Sequence, residues 1–209
     1  TPRSLVKYND KSIDAITEIA ASAKDDMVLI KTLTASSSGT LDFVDGASDV
    51  VLDNTYPIYV FKFINIHPQT DEAALSFQGS TDTGSSYGVA ITNTVFQAYH
   101  NEADTAAAVQ YQAGDDFAQS TSFVGFMQPI GNENDQCGSG TLHLFNPSST
   151  TFVKHYMTRV SNLHYADYAQ DWFTAGYINT TSAIDAIQFK MSSGNIDAGT
   201  IKLYGIKDS

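Results

Sequence analysis

Cysteine is nearly absent from this chain: its 209 residues include one, Cys137. A single thiol excludes an internal disulfide framework and a cysteine-based zinc site. Arginine is almost as scarce, with Arg3 and Arg159 alone, and 11 basic side chains face 23 acidic ones for a formal charge of −12. A nucleic-acid groove needs clustered Lys and Arg, so no nucleic-acid partner is expected. Long apolar runs are missing as well. No stretch reaches the run of about 18 residues that crosses a bilayer as a helix, so no membrane partner is expected either. Glutamate is the last scarcity, 4 Glu against 19 Asp. Glu favours helices, whereas Asp bonds its own neighbouring backbone in turns. The acidic charge therefore belongs to loops, where it confers solubility and repels polyanions without specifying a substrate.

What is abundant points the same way. The chain has 21 Ser, 21 Thr, 12 Phe and 11 Tyr, the residues of strands and turns. Its length suits one domain, or a domain with a short arm, and can bury a real core. Residues 1–11 are polar and locally basic, and read as an arm. Ser12 to Ala23 is the one convincing helix: Ser12 caps it, Asp14 and Glu18 sit toward its positive end, and Ile13, Ile16, Ala20 and Ala23 share a face.

From Met27 the period becomes two. In Pro57–Ile66, Ile58, Val60, Ile64 and Ile66 alternate with Tyr59, Phe61 and Phe63, so both faces are apolar and a covered or interfacial strand is expected. Asp185–Met191 and Thr200–Ile206 alternate apolar with polar, as half-buried antiparallel strands do. Further strands are expected at Met27–Thr34, Ala73–Gln78, Tyr87–Tyr99, Ser122–Gln128, Thr141–Phe145, Phe152–Val160 and Trp172–Asn179. Asp45-Gly46, Asp82-Thr83-Gly84, Asn146-Pro147 and Ser193-Gly194-Asn195 supply turns between them. About ten strands with no intervening helices predict an all-β, jelly-roll-like, two-sheet antiparallel sandwich over 27–209, preceded by an arm and short helix over 1–26. Asn101–Ser120 and Pro129–Gly140 are expected as its long loops.

Motifs with catalytic spellings fail on context. Gly84-Ser85-Ser86-Tyr87-Gly88 matches G-x-S-x-G, but a nucleophile elbow needs a helix after the serine, and Val89-Ala90-Ile91-Thr92 alternates as a strand. Asp82-Thr83-Gly84-Ser85 spells the aspartic-protease motif, yet no second copy accompanies it to share a proton. The five histidines, His67, His100, His143, His155 and His164, show no H-x-H or H-E-x-x-H spacing. His143 and His155 flank one expected hairpin, which is two ligands at most. Asn132-Glu133-Asn134-Asp135 is oxygen-rich but breaks the EF-hand spacing. Asn179-Thr180-Thr181 is a formal glycosylation sequon of a kind that a Thr-rich chain produces by chance. No metal and no cofactor are expected, and no enzymatic activity.

The aromatic surplus is the stronger signal. Tyr156, Tyr165, Tyr168, Trp172, Phe173 and Tyr177 crowd one segment. Trp172 and Phe173 read as core or cross-strand pairs. His164, Tyr165, Asp167 and Tyr168, set in an expected polar loop with Asn162 and Gln170, are the candidate binding residues, either for a protein interface or for stacking on a glycan.

The wording of the chain carries a resemblance. Gly140-Thr141-Leu142-His143-Leu144-Phe145-Asn146-Pro147-Ser148-Ser149-Thr150-Thr151-Phe152-Val153-Lys154-His155 and Gly176-Tyr177-Ile178-Asn179-Thr180-Thr181-Ser182-Ala183-Ile184 belong to it. So do Ile187-Gln188-Phe189-Lys190-Met191, Ile201-Lys202-Leu203-Tyr204-Gly205-Ile206, Val60–Pro68 and Ser80–Gly88. Residues 56–206 resemble small β-rich virion structural proteins of tailed bacteriophages from aquatic bacteria, marine cyanophages above all. The resemblance implies a place in the virion and supplies no catalytic residues. It implies a non-enzymatic head decoration protein bound to the major capsid protein, with a tail-fibre or tail-tip adhesin for host surface glycans as the alternative. In the first version the arm and helix, through Arg3, Lys7, Lys11, Ile13 and Ile16, dock on the capsid. The body is expected to form a symmetric homo-oligomer, a trimer among the forms open to it.

Overall fold

A computed structural model describes residues 26–208. The arm and helix expected within 1–26, with Arg3, Lys7, Lys11, Ile13 and Ile16, lie outside the described residues. Twelve strands follow in order: β1 (Met27–Thr34), β2 (Leu41–Val44), β3 (Ile58–Pro68), β4 (Ala73–Ser80), β5 (Ile91–Asn101), β6 (Ala107–Tyr111), β7 (Val124–Ile130), β8 (Gly138–Phe145), β9 (Lys154–His164), β10 (Tyr168–Ile178), β11 (Ala186–Met191) and β12 (Ile196–Ile206). Among the described residues there is no helix.

The strands form two antiparallel sheets, β1-β12-β3-β8-β9-β10-β5-β6 and β2-β11-β4-β7. Four pairings, β1 with β12, β2 with β11, β3 with β8 and β4 with β7, join the first half of the chain to the second. A ribbon of such pairs, wound so that successive pairs alternate between sheets, is the jelly roll. Two hairpins interrupt it: β5–β6 falls between β4 and β7, and β9–β10 between β8 and β11. Both join the same edge of the larger sheet, beyond β8. The expected jelly-roll-like sandwich is therefore present, with one sheet twice the width of the other.

Alternation explains how the strands choose their faces. Tyr59, Phe61 and Phe63 of β3 point into the core, as do Leu142 and Leu144 of β8 and Ile201 and Leu203 of β12. Phe189 of β11 is fully buried, and its ring lies 5.2 Å from Phe61, 5.3 Å from Phe63, 6.1 Å from Phe43, 6.3 Å from Phe126 and 6.5 Å from Phe77. Most of these contacts are edge-to-face, the arrangement that ring quadrupoles favour. Each such side chain contributes about 1.5–3 kcal/mol through burial.

Several expectations need correction. The apolar Ile58-Val60-Ile64-Ile66 series is not one face. A bulge at Ile64–Asn65, with Asn65 at φ 49°, inserts an extra residue, so Phe63 and Ile66 both turn inward while Ile64 stays outside. The expected loop Asn101–Ser120 contains β6, an exposed edge strand whose Ala-rich sequence hides its period. β2 is too short to stand out by alternation, with Leu41 and Phe43 alone facing the core. The loop expected at Pro129–Gly140 shortens to 131–137 between β7 and β8. The polar loop around Tyr165 is a hairpin turn of three residues, 165–167, between two strands of 11 residues each.

Gly140 marks the closest approach of β8 to β9. A β-carbon there would lie 2.5 Å from the Arg159 carbonyl oxygen and 2.6 Å from Val160 Cα. Gly140→Ala should therefore cost about 1–3 kcal/mol by forcing two central strands apart. Phe189→Ala should cost about 3–5 kcal/mol by emptying the aromatic centre. Phe152→Ala, at a ring 70% exposed, should change stability by no more than about 0.5 kcal/mol. Guanidinium unfolding of the three variants checks that order.

Candidate functional site

The larger sheet overhangs the smaller one, and the overhang makes two different surfaces. Its inner face belongs to the same side as the core. Chain 112–122 crosses beneath the near part of β5: the Phe117 N–H donates to Asn93 Oδ1 (2.8 Å), Asn93 Nδ2 donates to the Asp115 carbonyl (3.2 Å), and Ile91 and Ser120 exchange backbone bonds. The end of β9 is held against β7 through Asn162 and the Pro129 carbonyl, and the cover stops short of the hairpin tip. There the inner face opens into a cleft of about 270 Å³.

The candidate binding residues divide at this cleft. His164, Tyr165 and Tyr168 line it, together with Ala166, Tyr99, Gln97, Gln110 and Gln170. Asp167 does not line it: the residue sits exposed in the turn at φ 60°, its N–H donating to the His164 carbonyl (2.9 Å) and its carbonyl accepting from the Glu102 N–H (3.0 Å). It closes the hairpin that presents the others. His164 stacks on Tyr165 at 4.2 Å and meets Tyr168 edge-on at 5.1 Å, and Tyr168 meets Tyr99 at 5.6 Å. Ala166 N–H donates to His164 Nδ1 (2.9 Å), which leaves Nε2–H as the donor of the neutral ring. Burial lowers the His164 pKa from its ordinary value, opposed by the nearby charges of Glu72 and Asp71.

Three amides run under these rings as a directed chain. Asn162 Nδ2 donates to Gln170 Oε1 (3.0 Å), and Gln170 Nε2 donates to Gln97 Oε1 (2.8 Å). Asn162 is itself held by a second bond to the Pro129 carbonyl (3.1 Å). All three side chains are more than nine-tenths buried. Gln97 and Tyr99 escape a sequence reading because they reach the hairpin tip only through the β5–β10 pairing, some 70 residues away in the chain. The one available signal is the run of polar residues at inward positions of β5, Asn93 and Gln97, where a core strand would be apolar.

The outer face of the larger sheet is the second surface. Nine large hydrophobic side chains are exposed among the described residues, and seven of them, Met27, Leu29, Ile64, Phe96, Val109, Tyr111 and Met157, lie on this face. Phe96 and Phe173 stack at 4.7 Å with planes 4° apart, and the Arg159 guanidinium covers Phe173 at 5.0 Å while pairing with Asp171 at 2.9 Å. His143 and His155 also point out here, one register step apart, against Phe145 and Tyr177 respectively. Among the described residues no group of three or more His, Cys, Asp or Glu side chains could hold a metal ion.

The catalytic spellings resolve into turn chemistry. Asp82 Oδ2 accepts from the Ser86 hydroxyl (2.6 Å), and its Oδ1 accepts from the Ser80 hydroxyl (2.7 Å) and the Ser86 N–H (2.9 Å). The serine of G-x-S-x-G thus donates to a carboxylate in its own turn, and among the described residues no histidine bonds it. These bonds, those from the Ser80 and Ser86 hydroxyls foremost, hold the Asp82 pKa down at about 2. A depressed carboxylate stabilises the fold above its unfolded pKa, and that contribution disappears as the pH falls toward 2. Ser86→Ala should raise the Asp82 pKa above about 2 and move this acid loss to higher pH, which a carboxyl-carbon NMR titration reads directly.

No protein-family model matches the chain, and no curated protein matches it.

Proposed function

We propose that the chain is a non-enzymatic structural protein of a tailed-phage virion, a head decoration protein bound to the major capsid protein and displayed on the shell. The observation that carries this reading is the outer face of the larger sheet, which gathers onto one broad surface seven of the nine exposed large hydrophobics among the described residues. Scattered exposed apolar residues need no explanation, whereas a shared face of this kind is what docking surfaces present. Phe96, Phe173 and Arg159 supply the aromatic and guanidinium anchors in which interface energy concentrates. The resemblance of residues 56–206 to virion proteins supports the same reading.

In this role the mechanism is burial and linkage. A protein that binds the assembled shell and not its free subunits stabilises the shell by mass action. The acidic surface, net −12 over the chain, keeps decorated particles apart in suspension. The sequence-expected arm, with Arg3, Lys7 and Lys11, adds a second contact in this reading, and self-association into a symmetric ring adds avidity.

Cryo-electron microscopy of the particle that carries the chain tests the reading, with density expected in many copies on the head shell. Density confined to the tail tip would sink it in favour of the adhesin alternative. For attachment itself, the double variant Phe96→Glu, Met157→Glu should keep its melting temperature and lose binding to undecorated heads by at least about tenfold. Undiminished binding would show that another surface docks.

A further inference from the structure

We infer that the cleft at the tip of the β9–β10 hairpin binds a single neutral sugar ring, a site that goes beyond the docking role above and does not depend on it. The chemistry of the walls sets the ligand class. Four rings, Tyr99, His164, Tyr165 and Tyr168, meet three amides, Gln97, Gln110 and Gln170, and among the described residues no charged side chain lines the cleft. A pyranose is the ligand that offers both halves of this pattern: apolar C–H faces that stack on aromatic rings, and a rim of hydroxyls that bond amides.

The amide chain is the specific evidence. Donors point one way along it, from Asn162 to Gln170 to Gln97. Its last donor, Gln97 Nε2, has no partner among the described residues, although the Gln97 side chain is 6% exposed at the cleft wall. Relayed bonds polarise one another, so the terminal donor is stronger than that of an isolated amide. Three buried amides, joined to one another and to the Pro129 carbonyl, still leave a donor at the cleft wall, where apolar replacements of like shape would be nearly neutral for the fold alone. A hydroxyl of a bound sugar completes the chain. The Tyr99, Tyr165 and Tyr168 hydroxyls likewise have no hydrogen-bond partner among the described residues, and His164 presents Nε2–H.

Size and charge narrow the choice. At about 270 Å³ the cleft falls just below the roughly 300–1,000 Å³ of drug-sized sites, which fits one ring with its neighbours left in solvent. Nucleobases also stack on aromatic rings, but their phosphates would meet Asp71 and Glu72, whose charges reach His164, and the net charge of −12 behind them. Acidic sugars meet the same repulsion.

Saturation-transfer NMR on the full chain tests the site, using the methyl pyranosides of glucose, galactose, mannose and N-acetylglucosamine, with methyl glucuronide and AMP as anionic rivals. At least one neutral glycoside should receive saturation at its ring C–H protons, with a millimolar Kd. Tyr165→Ala, at an exposed turn, and Gln110→Ala, on the exposed edge strand, should each weaken that glycoside by about fivefold to tenfold with an unchanged melting temperature. The inference is overturned if none of the neutral glycosides binds, if glucuronide or AMP binds more tightly, or if both variants bind as the parent does.

Discussion

The structure depends on an inequality of widths. A jelly roll closes its core by laying two sheets of equal width face to face, and here one has eight strands and the other four. The four-strand sheet seals the part of its partner that carries Tyr59, Phe61, Phe63, Leu142, Leu144 and Leu203, and reaches on to Tyr156 of β9. There the interior is aromatic, centred on Phe189. Beyond β8 the cover thins: β9 and part of β10 still pack on β4 and β7, with Phe77 against Tyr156 (4.9 Å) and Asn162 on the Pro129 carbonyl, while the inner face of β5 and β6 is finished by other means.

The inward residues of the overhang show how. Along β9 the inward series runs Lys154, Tyr156, Thr158, Val160, Asn162, and along β10 it runs Gln170, Trp172, Thr174, all of them buried. Apolar and polar groups alternate along both strands, with Tyr156 packing on Phe77 of β4 and Asn162 bonding the Pro129 carbonyl of β7. Lys154 lies at one end of the series with its Nζ on the carbonyls of Thr180 (3.0 Å) and Ser182 (2.5 Å), and burial lowers its pKa. Asn162 and Gln170 lie at the other, joined to Gln97. A cation held by carbonyls ties down a loop; amides held by amides leave Gln97 Nε2 at the cleft and the buried Asn162 Oδ1 without hydrogen-bond partners among the described residues. The second end is where the cleft opens, so recognition and incomplete cover are the same feature seen twice.

Much of this was legible in the chain. Period-two alternation in β3, β9, β11 and β12 marks strands because each has one face against the core. The scarcity of Glu and turn signals such as Asp45-Gly46, Asp82-Thr83-Gly84 and Asn146-Pro147 point away from a helical body. β6 was hidden because Ala107, Val109 and Tyr111 point out from an edge with no core behind them, so burial imposes no pattern. The bulge at Asn65 was hidden because a left-handed residue leaves no mark on hydropathy. Of the site, His164, Tyr165 and Tyr168 could be found from local crowding, as could the turn role of the Asp82 motif. Gln97 and Tyr99 could not, since only the pairing of β5 with β10 brings them there.

β10 shows why the two surfaces belong together. Its alternate residues serve opposite purposes: Tyr168 and Gln170 face the cleft, while Asp171 and Phe173 face the outer sheet surface with Arg159 and Phe96. A strand cannot turn both sets of side chains to one side, so whatever docks on the outer face leaves the cleft directed away from it. Docking by the sheet and binding of a sugar at its far edge are therefore compatible in one molecule. A decorated shell built this way would carry a saccharide-facing tip at every copy, and weak single-ring contacts, repeated across a surface, add up through avidity where one contact alone would not hold.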